Sequence, residues 1–333
     1  MNTVMFQENE IISALASERC EFQEKLGQGE FGIVVRAVDN VTQRCFAVKM
    51  MPVLVGDSEN KPPRCQACQR KYHERELELL KKVSHRNLVE YIHDWRVKIA
   101  NKEIICIQME LCWLDLCNYI SMRGPSIAKD KSRIFPQILN GLGAIHSLGW
   151  IHRDIHLNNI LLANPSPSKV QDIVVKIADF GLARPINDVG PSLNATKVSI
   201  LGKLSSRNVE HELFGAPELS TEDYDYKVDL YSAGVVLYIL CCYLRHRQHR
   251  EWQVEIEQFR AGSLNITHLC HGDETLVQLL RDLLSKKPSV RPSAQAAVER
   301  YSRTADFRNM YTTPLKSSAT FLAKGDISAL RAE

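Results

Sequence analysis

Long apolar runs are missing from this chain of 333 residues. The longest, Ala233 to Leu244, falls short of the roughly 20 residues that a bilayer-spanning helix needs. It reads as a buried helix, and no membrane association is expected. The Met1 end has no positively charged stretch leading into an apolar core, so no secretory signal is apparent. Nor is there a surplus of one charge. The 42 Lys and Arg stand against 39 Asp and Glu, a formal net charge of +3, which gives no support to direct nucleic-acid binding. The 10 Cys are scattered, without the even framework of a small secreted domain. A reduced, cytoplasmic setting is the expectation. Internal repeats are absent too. What the chain does have is 44% hydrophobic residues, enough for a sizeable core, and a length that suggests about two compact units.

The order of patterns along the chain points to α+β architecture in two lobes. From Phe22 to about Ile107, short β-type runs dominate: GIVVRAV, RCFAVKM, LVEYIHDW and EIICIQM. One amphipathic segment, Tyr72 to Val83, interrupts them. From Leu114 onward helical patterns take over, with short strands expected around Ile160 and Val174. Polar loops with turn residues are expected at Gly56 to Arg64 and Asn164 to Lys169. Cys112 and Trp113 would lie in the connection between lobes. The expected division is a short N-terminal extension (1–21), a small lobe (22–111), a large lobe (112–301) and a poorly ordered tail (302–333).

Four motifs follow one another. GQGEFG carries Gly27, Gly29 and Gly32; AVK ends at Lys49; HRDIHLNNILL carries Asp154 and Asn159; IADFGLA carries Asp179, Phe180 and Gly181. Any one of them is weak. A lone GxGxxG fits a dinucleotide fold equally well, although here it lies between two β-type runs rather than between a strand and a helix. In this order and with these gaps, the set resembles the eukaryotic protein-kinase superfamily, from about Phe22 to about Tyr301.

The resemblance implies a bilobal kinase fold, ATP and Mg²⁺ as cofactors, and a protein substrate. It assigns Gly27, Gly29 and Gly32 to close approach of backbone to phosphates, and Lys49 to the α- and β-phosphates. Glu76 would be the ion-pair partner of Lys49. Glu74 and Glu78 are near alternatives, and Glu74 reads better as a solvated helix face. Val34 and Ala47 would cover the adenine, Leu161 would be its floor, Met109 would take the gatekeeper position, and the backbones of Glu110 and Cys112 would bond the adenine edge. The same apolar residues also read as ordinary core. Asp154 would be the base for the substrate hydroxyl, and Asn159 and Asp179 would hold Mg²⁺. Asp229 in DLYSAG would brace the catalytic loop, Glu218 and Arg291 would tie the activation segment to the large lobe, and His152, Phe180 and Leu80 would stack in one column.

Two positions depart from the serine/threonine pattern. His156 stands where Lys is usual, and His211 where Thr is usual. Imidazole is cationic only when protonated, with an ordinary pKa near ~6.5, so slow or pH-sensitive transfer is expected. The long segment from Asp179 to Glu218 contains Ser192, Thr196, Ser199, Ser205 and Ser206. Ser205 and Ser206 stand at the expected distance before Glu218 for a regulatory phosphate that Arg153 would bind; an unmodified polar loop is the plainer reading.

IQMELC (107–112), DYDYKVDLYSAGVVLYIL (223–240) and TLVQLLRDLLSKKPSVRPS (275–293) are similar to phrases in the kinases of the translation initiation factor 2 alpha subunit. That likeness implies this factor as substrate, a role in translation regulation under stress, and a homodimer paired through small lobes. The basic cluster RHRQHR (245–250) would be a docking element or, more commonly, a solvated loop. CQAC (65–68) with His73, and LCHGD (269–273), have metal-like spacing, but without a second paired cluster ordinary thiols are favoured over zinc. A nucleotide-binding scaffold with little transfer activity, and a tyrosine or dual-specificity kinase, are the alternatives. The full set Lys49, Glu76, Asp154, Asn159 and Asp179 speaks against the scaffold.

Overall fold

The computed structural model describes residues 6–29, 32–54, 64–99, 102–163, 173–188, 213–220, 224–242, 249–267, 270, 272–305 and 307–308. Period-two alternation builds the first sheet. In β2 (Gly32–Asp39) Ile33, Val35 and Ala37 are buried while Val34 and Arg36 are only half-buried. With β1 (Cys20–Gly29), β3 (Cys45–Leu54), β4 (Tyr91–Ile99) and β5 (Lys102–Met109) it forms an antiparallel sheet of order β1-β2-β3-β5-β4.

Both faces of this sheet are covered. The short N-terminal extension holds a helix, α1 (Glu8–Ala16), which packs Ile11, Ala14 and Leu15 against Ile33, Val35, Val48, Met50 and Trp95. The Trp95 Nε1–H donates to the Ala14 carbonyl at 3.1 Å, which satisfies the indole where it is buried. On the cleft side lies α2 (Arg64–Lys82), which brings Leu77, Leu79 and Leu80 into one core with Met51, Val53, Ile105 and Ile107. The helix starts earlier than the amphipathic pattern at Tyr72 suggested and takes in Arg64. The rest of the loop expected there, and that expected at Asn164 to Lys169, lie outside the described residues.

Helices dominate the large lobe: α3 (Leu116–Arg123), α4 (Ile127–Ser147), α5 (Lys227–Cys242), α6 (His249–Arg260), α7 (Glu274–Leu283) and α8 (Ala294–Ser302). Every residue from Val228 to Cys242 is buried, and from Ala233 onward the run is apolar all round. Short strands β6 (Leu114–Asp115), β8 (Ile160–Ala163) and β9 (Val174–Ile177) form one sheet, while β7 (Trp150–Ile151) pairs with β10 (Arg184–Pro185). No helix among the described residues is long and apolar enough to cross a membrane.

The lobes are joined by more than their linker. Val89 N–H donates to the Ile177 carbonyl, and Ile177 N–H to the Asn87 carbonyl, each at 2.9 Å. Asn87 Nδ2 donates to Gln137 Oε1 of α4 and to the Val175 carbonyl, again at 2.9 Å. Gly141 on α4 permits this approach. A Cβ there would stand 2.8 Å from the Asn87 carbonyl oxygen and 2.9 Å from Ile177 Cδ1.

Candidate active site

Strand register assembles the small-lobe side. Val34 lies opposite Lys49, and Ala47 opposite Met109. Cross-strand partners share a face, so these four residues line one face, and Val48 and Met50 point to the other. Gly27 and Gly29 have open space where a Cβ would be. Gly32 differs. Its φ is +149°, and a Cβ would lie 2.0 Å from the Met50 carbonyl oxygen. Packing against β3 therefore demands glycine there, a reason apart from phosphate approach. Glu30 and Phe31 lie outside the described residues.

On that face Lys49 Nζ stands 2.5 Å from Glu76 Oε1 of α2 and 2.9 Å from Asp179 Oδ1. Lys49 and Glu76 are buried. Burial disfavours the Lys49 charge, but Asp179 and Glu76 outweigh it and hold the ammonium above its usual range. Burial pushes the Glu76 carboxyl up, against the pull of Lys49. Burial acts on Asp179 in the same direction, but Lys49 prevails and its carboxyl sits below the usual range. Glu74 and Glu78 face solvent, paired with Arg96 at 3.8 Å and Lys82 at 2.6 Å.

The catalytic-loop motif forms the opposite wall. Asn159 Nδ2 donates to the Asp154 carbonyl at 2.9 Å and to Asp154 Oδ2 at 3.1 Å. Ala178 N–H donates to the Asn159 carbonyl at 2.9 Å, which ties this loop to the turn bearing Asp179. His156 Nε2 stands 3.8 Å from Asp154 Oδ2, while its Nδ1 accepts the Asn158 N–H at 3.3 Å. Behind the loop, the fully buried Asp229 carboxylate accepts the His152 N–H at 2.8 Å, the Arg153 N–H at 2.7 Å and a bond from His146 Nε2 at 2.8 Å. Burial opposes its ionisation; His146, followed by His152, overcomes that and holds the carboxyl below its usual range. Arg153 sits at φ +66°, a left-handed conformation that few side-chain-bearing residues adopt. His152 meets Phe180 edge to face, with centroids 5.2 Å apart, and Phe180 shares one core with Leu80. Burial lowers the His152 pKa, against the opposing pull of Asp229. Its Nδ1 accepts the Asp154 N–H at 3.3 Å, and Nε2 faces the Ala178 carbonyl at 3.2 Å.

In the large lobe, the buried Arg291 guanidinium grips both oxygens of Glu218, with Nη2 to Oε2 at 2.9 Å. It also donates to the Lys227 carbonyl at 3.0 Å and the Ser285 carbonyl at 2.9 Å, and lies over the Tyr231 ring. Leu161 is a half-exposed residue on a strand whose neighbours Ile160 and Leu162 are buried. Between the lobes, Glu110 N–H donates to the Glu90 carbonyl at 3.0 Å, and Trp113 N–H to the Leu162 carbonyl at 2.9 Å. Burial, followed by Glu110, pushes the Cys112 thiol up to about 12.

Ser192, Thr196, Ser199, Ser205, Ser206 and His211 lie outside the described residues, as do most of RHRQHR and the side chains of Cys65 and Cys68. His73 packs its Nδ1 3.1 Å from Met51 Sδ. Among the described residues, no group of three or more His, Cys, Asp or Glu could hold a metal ion. Sequence reasoning missed His146 and Arg184. Arg184 on β10 is buried, with Nε and Nη2 lacking any hydrogen-bond partner. Its signal was a cation set among apolar residues directly after the DFG motif.

A small sheet-rich lobe over a helical one, with a lysine–carboxylate triad in the cleft, defines a nucleotide-dependent phosphotransferase architecture. The protein kinase domain family matches residues 20–301, and the chain belongs to that family. Calcium-dependent protein kinase 29 of Arabidopsis thaliana is 28% identical over 285 residues, covering 84% of this chain and 48% of the relative. Mitogen-activated protein kinase mpkC of Aspergillus clavatus is 34% identical over 217 residues, covering 64% and 48%. DNA damage response protein kinase DUN1 of Saccharomyces cerevisiae is 31% identical over 237 residues, covering 66% and 42%. The chain spans about half the length of these relatives.

Proposed function

We propose that the chain is a Mg·ATP-dependent protein kinase that transfers the γ-phosphoryl group to a Ser or Thr hydroxyl of a protein. The observation that carries this reading is the Lys49 ammonium bonded at once to Glu76 and Asp179. Kinase catalysis needs both the lysine–glutamate pair and the DFG aspartate in place. Here one cation holds the two together.

Each residue then has a task. Lys49 neutralises the α- and β-phosphates, while Val34, Ala47 and Leu161 enclose the purine and the backbone of Glu110 and Cys112 orients its edge. Asp154, fixed by Asn159, orients the substrate hydroxyl and accepts its proton. Asp179 and Asn159 fit Mg²⁺, which takes carboxylate and amide oxygens together with phosphate oxygens. The Asn159 amide nitrogen turns toward Asp154, so its oxygen points the other way. Bound there, the metal would supply charge neutralisation of the phosphates. Phosphate on Ser205 or Ser206 would meet Arg153 and the buried cation Arg184, ordering the activation segment.

The three strings resembling the initiation-factor kinases support the translation initiation factor 2 alpha subunit as substrate, a small-lobe homodimer and a cytoplasmic role in translation regulation. None of the three relatives named above is such a kinase by its name. One observation favours a second reading, a nucleotide-binding scaffold with slow transfer. The His156 imidazole, with Nε2 3.8 Å from Asp154 Oδ2, stands where a lysine ammonium would otherwise face the γ-phosphate. Incubation of the purified chain with Mg·ATP and recombinant factor, beside an Asp154→Asn control, separates these. Phosphoserine on the factor, lost in the control, supports the full proposal. Transfer only to other proteins removes the substrate, and ATP binding without transfer leaves the scaffold.

A further inference from the structure

Among the described residues, and outside the groups assigned to phosphoryl transfer, an ion pair crosses the seam between lobes. Lys176 lies on β9, three residues before Asp179. Its Nζ stands 2.6 Å from Glu110 Oε1, and the two side chains are only 12% and 20% exposed. The same carboxylate oxygen accepts the Glu90 N–H at 2.7 Å, while the Glu110 N–H donates back to the Glu90 carbonyl at 3.0 Å. The first residue of the linker between β5 and β6 is thus pinned by its backbone to Glu90, just before β4, and by its side chain to both Glu90 and β9. The last, Trp113, is pinned by its N–H to Leu162. The register sets Lys176 opposite Leu161, so both side chains leave the β6-β8-β9 sheet on one face. The ion pair therefore runs along the wall of the slot to which Leu161 contributes the floor.

A charge-assisted bond this sheltered from water holds geometry better than an exposed surface pair, which solvent and salt screen. Adenine-edge recognition by backbone groups needs donor–acceptor distances within a few tenths of an ångström. A linker already fixed in that geometry does not lose ordering entropy on binding. We propose that Lys176 is a positioning residue for the purine: through Glu110 it holds residues 110–113 so that their backbone groups meet the adenine edge. This rests on the kinase reading. In this reading the phosphates fall to Lys49 and not to Lys176, whose Nζ is paired with Glu110. Its loss should weaken purine binding and leave phosphate binding and the chemical step largely intact.

The test compares the full chain with Lys176→Met, Lys176→Arg and Glu110→Gln. ATP, adenosine and inorganic tripolyphosphate are titrated calorimetrically, and kcat and KM for ATP are measured beside the melting temperature. Lys176→Met should weaken ATP and adenosine about fivefold or more, as expected for loss of a sheltered charged bond and of preorganisation. Tripolyphosphate affinity and kcat at saturating ATP should change little. Lys176→Arg should restore most of the affinity. Glu110→Gln keeps the Glu90 N–H acceptor and should fall between the two, which serves if Lys176→Met fails to fold. Equal adenosine affinity in wild type and Glu110→Gln or Lys176→Met overturns the inference alone, as does equal weakening of adenosine and tripolyphosphate. No ATP binding by the wild type overturns the kinase reading and the inference with it.

Discussion

Asp229→Asn tests how the catalytic loop is held. The carboxylate takes three donors in a fully buried site: His152 N–H and His146 on Oδ2, and Arg153 N–H on Oδ1. Asparagine has nearly the same shape but only one acceptor oxygen. If that oxygen keeps the His152 and His146 bonds, the side-chain NH₂ faces the Arg153 N–H, donor against donor. Leaving one buried N–H unsatisfied costs about 1–3 kcal/mol, and turning two bonds to a charged acceptor into neutral ones costs about 1 kcal/mol each. The expected loss is therefore about 3–5 kcal/mol, read as the change in unfolding free energy from urea titration. Arg153 should also relax from its left-handed conformation and shift Asp154, so kcat should fall by about 100-fold, the scale of a 1 Å misplacement. The loss should depend on pH. Asp229 is held below the ordinary carboxylate value, so its contribution is complete above about pH 4 and fades as pH falls through its folded value. The gap between wild type and variant should narrow below about pH 4. A loss under about 1 kcal/mol at neutral pH with kcat intact would refute the reasoning.

Three other perturbations have expected outcomes. Gly141→Ala should lower the unfolding free energy by about 1–3 kcal/mol, because its Cβ would crowd a backbone carbonyl that cannot swing away; an unchanged melting curve would count against the tight inter-lobe contact. Glu218→Ala should cost about 3–5 kcal/mol by leaving the Arg291 charge buried without its partner. Adding Arg291→Leu should recover part of that loss, and strict additivity of the two in a double-mutant cycle would show that the pair is not coupled. His156→Lys should raise kcat about threefold or more, since a flexible ammonium replaces the imidazole beside Asp154; equal rates would remove His156 as the cause of slow transfer.

The motif residues were legible because their spacing is set by local backbone. Asp154 and Asn159 bond each other across five positions within one loop, so the sequence interval carries the geometry. Strand β2 was legible for the same reason, since alternation is a property of neighbouring residues; β3 and β5 are near-continuous apolar runs, buried on both faces. The apolar run of α5 announced its own burial. Other features gave no local signal. Nine residues of α1 are too short a pattern to stand out, and their burial depends on Trp95, about eighty residues away. His146 could be read as a surface residue closing α4 until folding brought Asp229, 83 positions on, against its ring.

The sequence by itself determined the family and the α+β fold class, because these rest on motif intervals and periodicities that the chain carries locally. Only the tertiary structure decided which carboxylate among Glu74, Glu76 and Glu78 meets Lys49, why Gly32 tolerates no side chain, and that Lys176 is paired with Glu110. Those depend on which surfaces meet after packing. Helix rotation and strand register choose the partner there, and a one-dimensional interval does not encode either.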